Sequence, residues 1–157
     1  MSDSGNADEQ QTLRLWITLA RCYQTFAHES AHHLARHGLT TSQFGVLEAL
    51  YHLGPTNLSD LAEKLLVSGG NVTYVMDRLA KLGYVTRERC AEDRRVYWAH
   101  LTPKGREVIG EVLPDHATHL LAATQHLSAG EKDQLRRLLK KLGTGMVSEI
   151  QGPLRED

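Results

Sequence analysis

The sequence predicts a mainly α-helical fold with a small β component confined to one hairpin. Three observations carry this. Apolar residues recur at helical spacing in six separate segments of the 157-residue chain. Between residues 84 and 101 that period gives way to strand-like runs on either side of a charged turn. Glycines and prolines (Gly38, Gly54-Pro55, Gly83, Thr102-Pro103) fall between the segments rather than inside them.

The first helix is expected over about residues 11–37, where Leu15, Trp16, Leu19, Tyr23, Phe26, Ala27, Ala31 and Leu34 repeat, and Gly38 stops it. Thr40-Thr41-Ser42-Gln43 reads as a capping box opening a second helix with Phe44, Leu47 and Leu50-Tyr51, broken at Gly54-Pro55. Asn57 caps a short third helix, Leu58 to Leu66, and Ser68 a fourth, Gly69 to Leu82. In the fourth, Val72, Val75, Met76 and Leu79 make one apolar stripe. Tyr84 to Arg89 and Val96 to Leu101 read as strands flanking the turn Cys90-Ala91-Glu92-Asp93-Arg94-Arg95. Thr102-Pro103 restarts helix to about His126, with Pro114 expected to kink it. Ser128 to Glu131, a second capping box, opens a last helix to about Ile150 carrying Leu135, Leu138, Leu139 and Leu142.

Helix, short turn, helix, then hairpin is the order of a winged helix-turn-helix. The reading is thus one domain over 1–157, with a winged lobe at 40–102 and flanking helices at 11–37 and 103–150. Those flanking helices are too apolar on one face to stand alone in water, and a second copy of the chain is the expected cover.

The net charge of −1 hides an asymmetry. Residues 58–106 hold nine Lys/Arg against six Asp/Glu, a local +3, while the remainder sums to −4. Local field, not total charge, steers a polyanion. No run of about 18 apolar residues is present to span a membrane. Residues 1–11 are polar and acidic, without the apolar stretch of a signal peptide, so the expected compartment is the cytoplasm. Two cysteines, Cys22 and Cys90, make no disulfide framework there.

The fourth helix divides its surface. Ser68, Gly70, Asn71, Thr73, Tyr74 and Arg78 lie toward its start and outer side, small or polar enough for a major groove. Asn and Arg can read adenine or guanine edges, and free N–H groups at a helix start favour phosphate. The hairpin concentrates Arg87, Arg89, Arg94 and Arg95 around Asp93, and an arginine-tipped wing suits a narrow minor groove. Asp93 reads as a tether that pairs with an arginine and holds the turn.

Four stretches carry a family resemblance: Leu58-Ser-Asp-Leu-Ala-Glu-Lys-Leu, the run from Ser68 to Val85, Glu92-Asp-Arg-Arg, and Leu101-Thr-Pro-Lys-Gly. They resemble the MarR family of transcriptional regulators, over about residues 13–143. Within it, His37-Gly-Leu-Thr, the run Phe44 to His52 and Arg89-Cys90 most resemble the methylhydroquinone- and catechol-resistance branch. The resemblance implies a homodimer held by the first and last helices and a palindromic double-stranded DNA operator. It also implies Asp93 and Arg95 in the wing positions, and repression released by a small aromatic or oxidant signal.

Family likeness puts an effector pocket between the dimerisation helices and the DNA-binding lobe. As a group, Trp16, Tyr23, Phe26, Phe44 and Tyr51 are the candidates for holding a phenolic or quinone compound; singly, each is an ordinary core aromatic. Cys90, beside Arg89, has better electrostatics for redox sensing than Cys22; a buried, inert thiol is the expectation for Cys22 and the alternative for Cys90. Peroxide sensing is disfavoured because this chain has Trp16 where peroxide-sensing relatives carry their cysteine. His28-Glu29-Ser30-Ala31-His32 matches the zinc-hydrolase pattern HExxH, but with Glu48 as the sole nearby acidic candidate it lacks a clear third ligand and a cleft. A metal-responsive alternative joins His28 or His32 to His116 or His119. No catalytic residue, metal ligand or cofactor is assigned.

Overall fold

Glycines at positive φ end three of the helices, and two of these endings, at Gly38 and Gly83, place chain where the site needs it. The computed structural model describes residues 3–65, 69–93 and 95–151. Helix α1 spans Asp3–Ala35, α2 Thr41–Leu53, α3 Leu58–Lys64 and α4 Gly69–Lys81. Strands β1 (Thr56–Asn57), β2 (Val85–Arg89) and β3 (Tyr97–Leu101) form one sheet, followed by α5 (Pro103–Ala123) and α6 (Ala129–Gln151).

After α1, Gly38 at φ 71° lets Leu39 N–H reach Leu34 C=O (3.2 Å) while its own N–H bonds Ala35 C=O (3.0 Å). After α4, Gly83 at φ 77° repeats the pattern, with Tyr84 N–H on Leu79 C=O (3.0 Å) and Gly83 N–H on Ala80 C=O (2.9 Å). Each pair of bonds satisfies carbonyls left over at a helix end, in a conformation that only glycine adopts without penalty. The second turn delivers the chain directly into β2.

The expected capping boxes are present. Thr40 Oγ1 accepts from Gln43 N–H (3.2 Å) while Gln43 Oε1 accepts from Thr40 N–H (2.9 Å). Ser128 and Glu131 make the same exchange at the start of α6, and the two Ser128 donors hold the Glu131 carboxyl below its usual range. Asn57 Oδ1 accepts from Asp60 N–H (2.9 Å) to start α3. Ser68, expected to cap α4, lies outside the described residues.

Four elements differ from the sequence reading. α1 begins at Asp3, eight residues earlier than apolar periodicity shows, because residues 3–10 are polar and carry no stripe to detect. The short strand β1 was invisible for a similar reason: two residues carry no period. It pairs antiparallel with β3, giving the order β1-β3-β2 with Thr56 opposite Ala99 and Val85 opposite Leu101. α3 spans Leu58–Lys64 with Leu65 as its C-cap, and the expected last residue, Leu66, lies outside the described residues. α5 ends at Ala123, and its helix continues through Pro114.

The buried core runs through α2 (Val46, Leu47, Leu50), α3 (Leu61), α4 (Val72, Met76, Leu79) and the sheet (Val85, Ala99), and takes Leu34 from α1 and Ile109 from α5. Full burial of each large side chain contributes about 1.5–3 kcal/mol before entropy is charged against it. The α4 stripe read from the sequence is the buried face, which fixes the opposite face outward. Residues up to Leu120 form one compact unit and those from Leu121 a second. Among the described residues, no helix is long and apolar enough to cross a membrane.

Candidate nucleic-acid interface

Burying Val72, Val75, Met76 and Leu79 leaves Gly69, Gly70, Asn71, Thr73, Tyr74 and Arg78 exposed along α4. Gly69 and Gly70 have open space where a Cβ would stand, so nothing among the described residues requires glycine there. Their smallness leaves the helix start open to close approach by a backbone outside the chain. Thr73 Oγ1 returns a bond to Gly69 C=O (3.0 Å), and Tyr74 is 63% exposed.

The wing is held by its own side chains. Arg87 forms an ion pair with Asp77 of α4, tying β2 to the helix. Arg89 donates from Nε (3.2 Å) and Nη2 (2.7 Å) to Tyr97 Oη across the hairpin. At the tip, Asp93 Oδ1 accepts from Arg95 N–H (2.9 Å) and from Arg95 Nε (3.3 Å), and the backbone bond comes first in holding its carboxyl below the usual range. Asp93 therefore tethers the turn, as the sequence suggested. The Arg95 side chain is nevertheless 92% exposed, so the tether aims a guanidinium without covering it. Arg94 lies outside the described residues.

Helix and wing meet in one cleft. A cavity of about 250 Å³ is lined by Ser59 of α3, Gly69 and Thr73 of α4, and Arg95 and Tyr97 of the wing. Of the expected α4 residues only Thr73 lines this cleft with the wing tip; Asn71 opens onto a different cavity, and Gly70, Tyr74 and Arg78 are exposed outside both. The structure also adds Asp77, a wing anchor that sequence reasoning missed. A carboxylate on a helix facing arginine on the next strand was the available signal.

The start of α5 fixes where the wing returns. Thr102 Oγ1 donates to Gly83 C=O (2.6 Å) and accepts from Gly105 N–H (3.0 Å). Thr102 N–H bonds Tyr84 C=O (3.0 Å), and Lys104 Nζ bonds Leu82 C=O (2.9 Å). Three consecutive carbonyls after α4 are thereby clamped by the stretch Thr102-Pro103-Lys104-Gly105.

The five aromatic candidates share no single pocket among the described residues, although Trp16 and Tyr23 line one apolar hollow on α1 with Leu19 and Ala20. Trp16, Tyr23 and Phe26 are exposed on α1, whereas Phe44 and Tyr51 are half-buried against the core. Tyr23 lines a cavity of about 320 Å³ with Ser42 and Gly45 of α2, Leu65, and Asn71 and Val75 of α4. Cys22 is exposed, contrary to the buried thiol expected, because most of α1 meets no other part of the described chain; Cys90 is half-buried. His28, Glu29 and His32 are all exposed and gather no third ligand among the described residues.

A winged helix-turn-helix that exposes a polar helix face beside an arginine-tipped hairpin defines a DNA-binding regulator. Residues 39–97 match the MarR family. The chain is 39% identical to the HTH-type transcriptional regulator YkoM of Bacillus subtilis over 141 residues, covering 89% of this chain and 92% of that protein. It is 34% identical to the regulator MhqR of the same organism, covering 85% and 92% respectively. A mutant MarR of E. coli solved with operator DNA superposes with a TM-score of 0.77 at 25% identity, covering 84% of this chain and 95% of that one. The chain belongs to the MarR family, close to its MhqR branch, and its relatives are transcriptional regulators rather than enzymes.

Proposed function

We propose that the chain acts in the cytoplasm as a homodimeric repressor of a pseudo-palindromic operator, released by a small phenolic or quinone-like molecule. The observation that carries the DNA reading is the shared cleft of α4 and the wing, with Arg95 extended at its edge. In this reading α4 enters the major groove and Arg95 the adjacent minor groove, where negative potential is strongest. Dimerisation is supported by apolar side chains that the single chain leaves in water, Leu13, Trp16 and Tyr23 on α1 and Leu138 and Met146 on α6 among them.

Release is supported by the Tyr23 cavity. It has α1 on one side and Asn71, a residue of the DNA-reading set, on the other. Occupying it with an aromatic ring would bear on the position of α4, and a ligand shifts an equilibrium by its difference in affinity for the two states.

The test uses an operator selected from random duplexes with the purified protein. Arg95→Ala is expected to weaken binding by about 1–3 kcal/mol in an electrophoretic mobility or anisotropy assay. Unchanged affinity removes the wing from the mechanism. Catechols and quinones added to the wild-type complex should lower operator occupancy. Insensitivity to every such compound would confine the proposal to its DNA half.

A further inference from the structure

The nine histidines are not scattered at random. Four of them, His33 and His37 at the end of α1 and His116 and His119 of α5, converge with Asp115 where the end of α1 meets the middle of α5. His33 is 5% exposed and His116 also 5%, values unusual for an imidazole. The His33 ring stacks on His119, with centroids 4.2 Å apart, and His116 sets its edge against Phe44 at 4.8 Å.

Polar atoms buried here find no hydrogen-bond partner among the described residues: both His33 nitrogens, Nδ1 of His116 and Nε2 of His119. Buried polar groups in folded proteins are overwhelmingly satisfied, so this concentration of orphans needs a cause. His116 Nε2 meets Ser30 Oγ at 3.3 Å, and His37 Nε2 donates to Asp115 Oδ2 at 2.8 Å. His33 Nε2 stands 3.3 Å from the same Asp115 oxygen, at an angle that makes no hydrogen bond.

We propose that His33, His37 and Asp115 form a binding site for a divalent transition metal ion of the zinc type. One donor atom from each lies within 4.8 Å of the other two. In a tetrahedral zinc site with bonds of about 2.0–2.1 Å, neighbouring ligand atoms are about 3.3–3.4 Å apart. His33 Nε2, 3.3 Å from Asp115 Oδ2, already stands at that separation, while His37 Nε2, hydrogen-bonded at 2.8 Å, would draw back by about half an ångström on exchanging its proton for the ion. Binding needs the His37 proton to move from Nε2 to Nδ1, giving up the bond to Asp115 and freeing a lone pair, and His33 to carry its proton on Nδ1 so that its Nε2 is free as well. The Asp115 side chain, 56% exposed, leaves the site open on one side and a fourth position for water. Two imidazoles and one carboxylate suit zinc and its late first-row neighbours over magnesium or calcium, which prefer all-oxygen shells. His119 positions the His33 ring by stacking, and the ion would fasten the end of α1 to α5. His28 and His32, the sequence candidates, are exposed elsewhere on α1 and take no part.

The full-length protein, stripped with a chelator, is titrated with Zn²⁺ against a chromophoric competitor. One ion per chain is expected, with a thermal midpoint that rises with Zn²⁺ concentration. His37→Ala, at the accessible edge, and Asp115→Asn should each weaken binding by more than about 100-fold, beyond the 10–100-fold typical of losing an outer partner. The double variant His28→Ala/His32→Ala should bind as the wild type does. Co²⁺ in place of Zn²⁺ should give the intense visible bands of a tetrahedral site, lost in His37→Ala even if His33→Ala fails to fold. Absence of a stoichiometric ion, or binding that survives His37→Ala and Asp115→Asn, overturns the proposal. So does loss of binding in the His28/His32 variant alone.

Discussion

Gly105→Ala is expected to lower stability by about 3 kcal/mol, the upper end of the usual range for forcing atoms into a packed site. A Cβ at this position would stand 1.9 Å from the Tyr84 carbonyl oxygen and 2.8 Å from its carbonyl carbon. Those are backbone atoms, so no side-chain rotation relieves the clash. Tyr84 is also where Thr102 N–H bonds, so the movement that admits the methyl pulls apart the clamp between the end of α4 and the start of α5. For a chain of this size the thermal midpoint should fall by about 6–12 °C. Gly110→Ala is the internal control. It lies in the same helix, with no described atom beyond its own helix backbone within 4 Å of where its Cβ would stand, and should stabilise by up to about 1 kcal/mol through helix propensity. Urea denaturation of both variants checks the pair, and equal effects would mean that the approach of Gly105 to Tyr84 is not the constraint.

The second large effect is expected at α6. Leu135, Leu138, Leu139, Leu142 and Met146 fall on one face at helical spacing, with exposures from 37% to 57%. Burying a leucine contributes about 1.5–3 kcal/mol, so a partner covering this stripe gains substantially and a charge placed on it costs as much. The double variant Leu138→Glu/Leu142→Glu should sediment as a monomer at micromolar concentration. Losing the tethered second half-site should then reduce operator affinity by about 10²–10⁴-fold. A variant that stays dimeric and binds DNA normally would mean that other surfaces hold the copies together.

Much of this arrangement was legible because it rests on local chemistry. Thr40/Gln43, Ser128/Glu131 and Asn57 announced helix starts, and Gly38 and Gly83 announced helix ends through the positive φ that such turns require. Val72, Val75, Met76 and Leu79 identified the inner face of α4, and so by subtraction the outer one. What stayed hidden depends on residues distant in sequence. The pairing of Arg87 with Asp77, the approach of Gly105 to Tyr84 and the meeting of His33 with Asp115 follow from tertiary geometry that no window reveals. The histidines illustrate the difference. His28 and His32 carry the familiar spacing, while His33 and His37 repeat the same four-residue interval five residues further on, and it is that second pair that faces α5.

The proposed operator recognition depends most on α4 and the Arg95 wing being presented twice, in register with successive turns of a duplex. Footprinting on selected operator fragments tests this directly. The expected result is two protected half-sites of related, inverted sequence, centred about one helical turn (roughly 34 Å) apart. Affinity should fall by about 10³–10⁵ between 50 and 200 mM salt if roughly six to ten phosphates are contacted. A single unrelated protected segment, or association indifferent to salt, would contradict it.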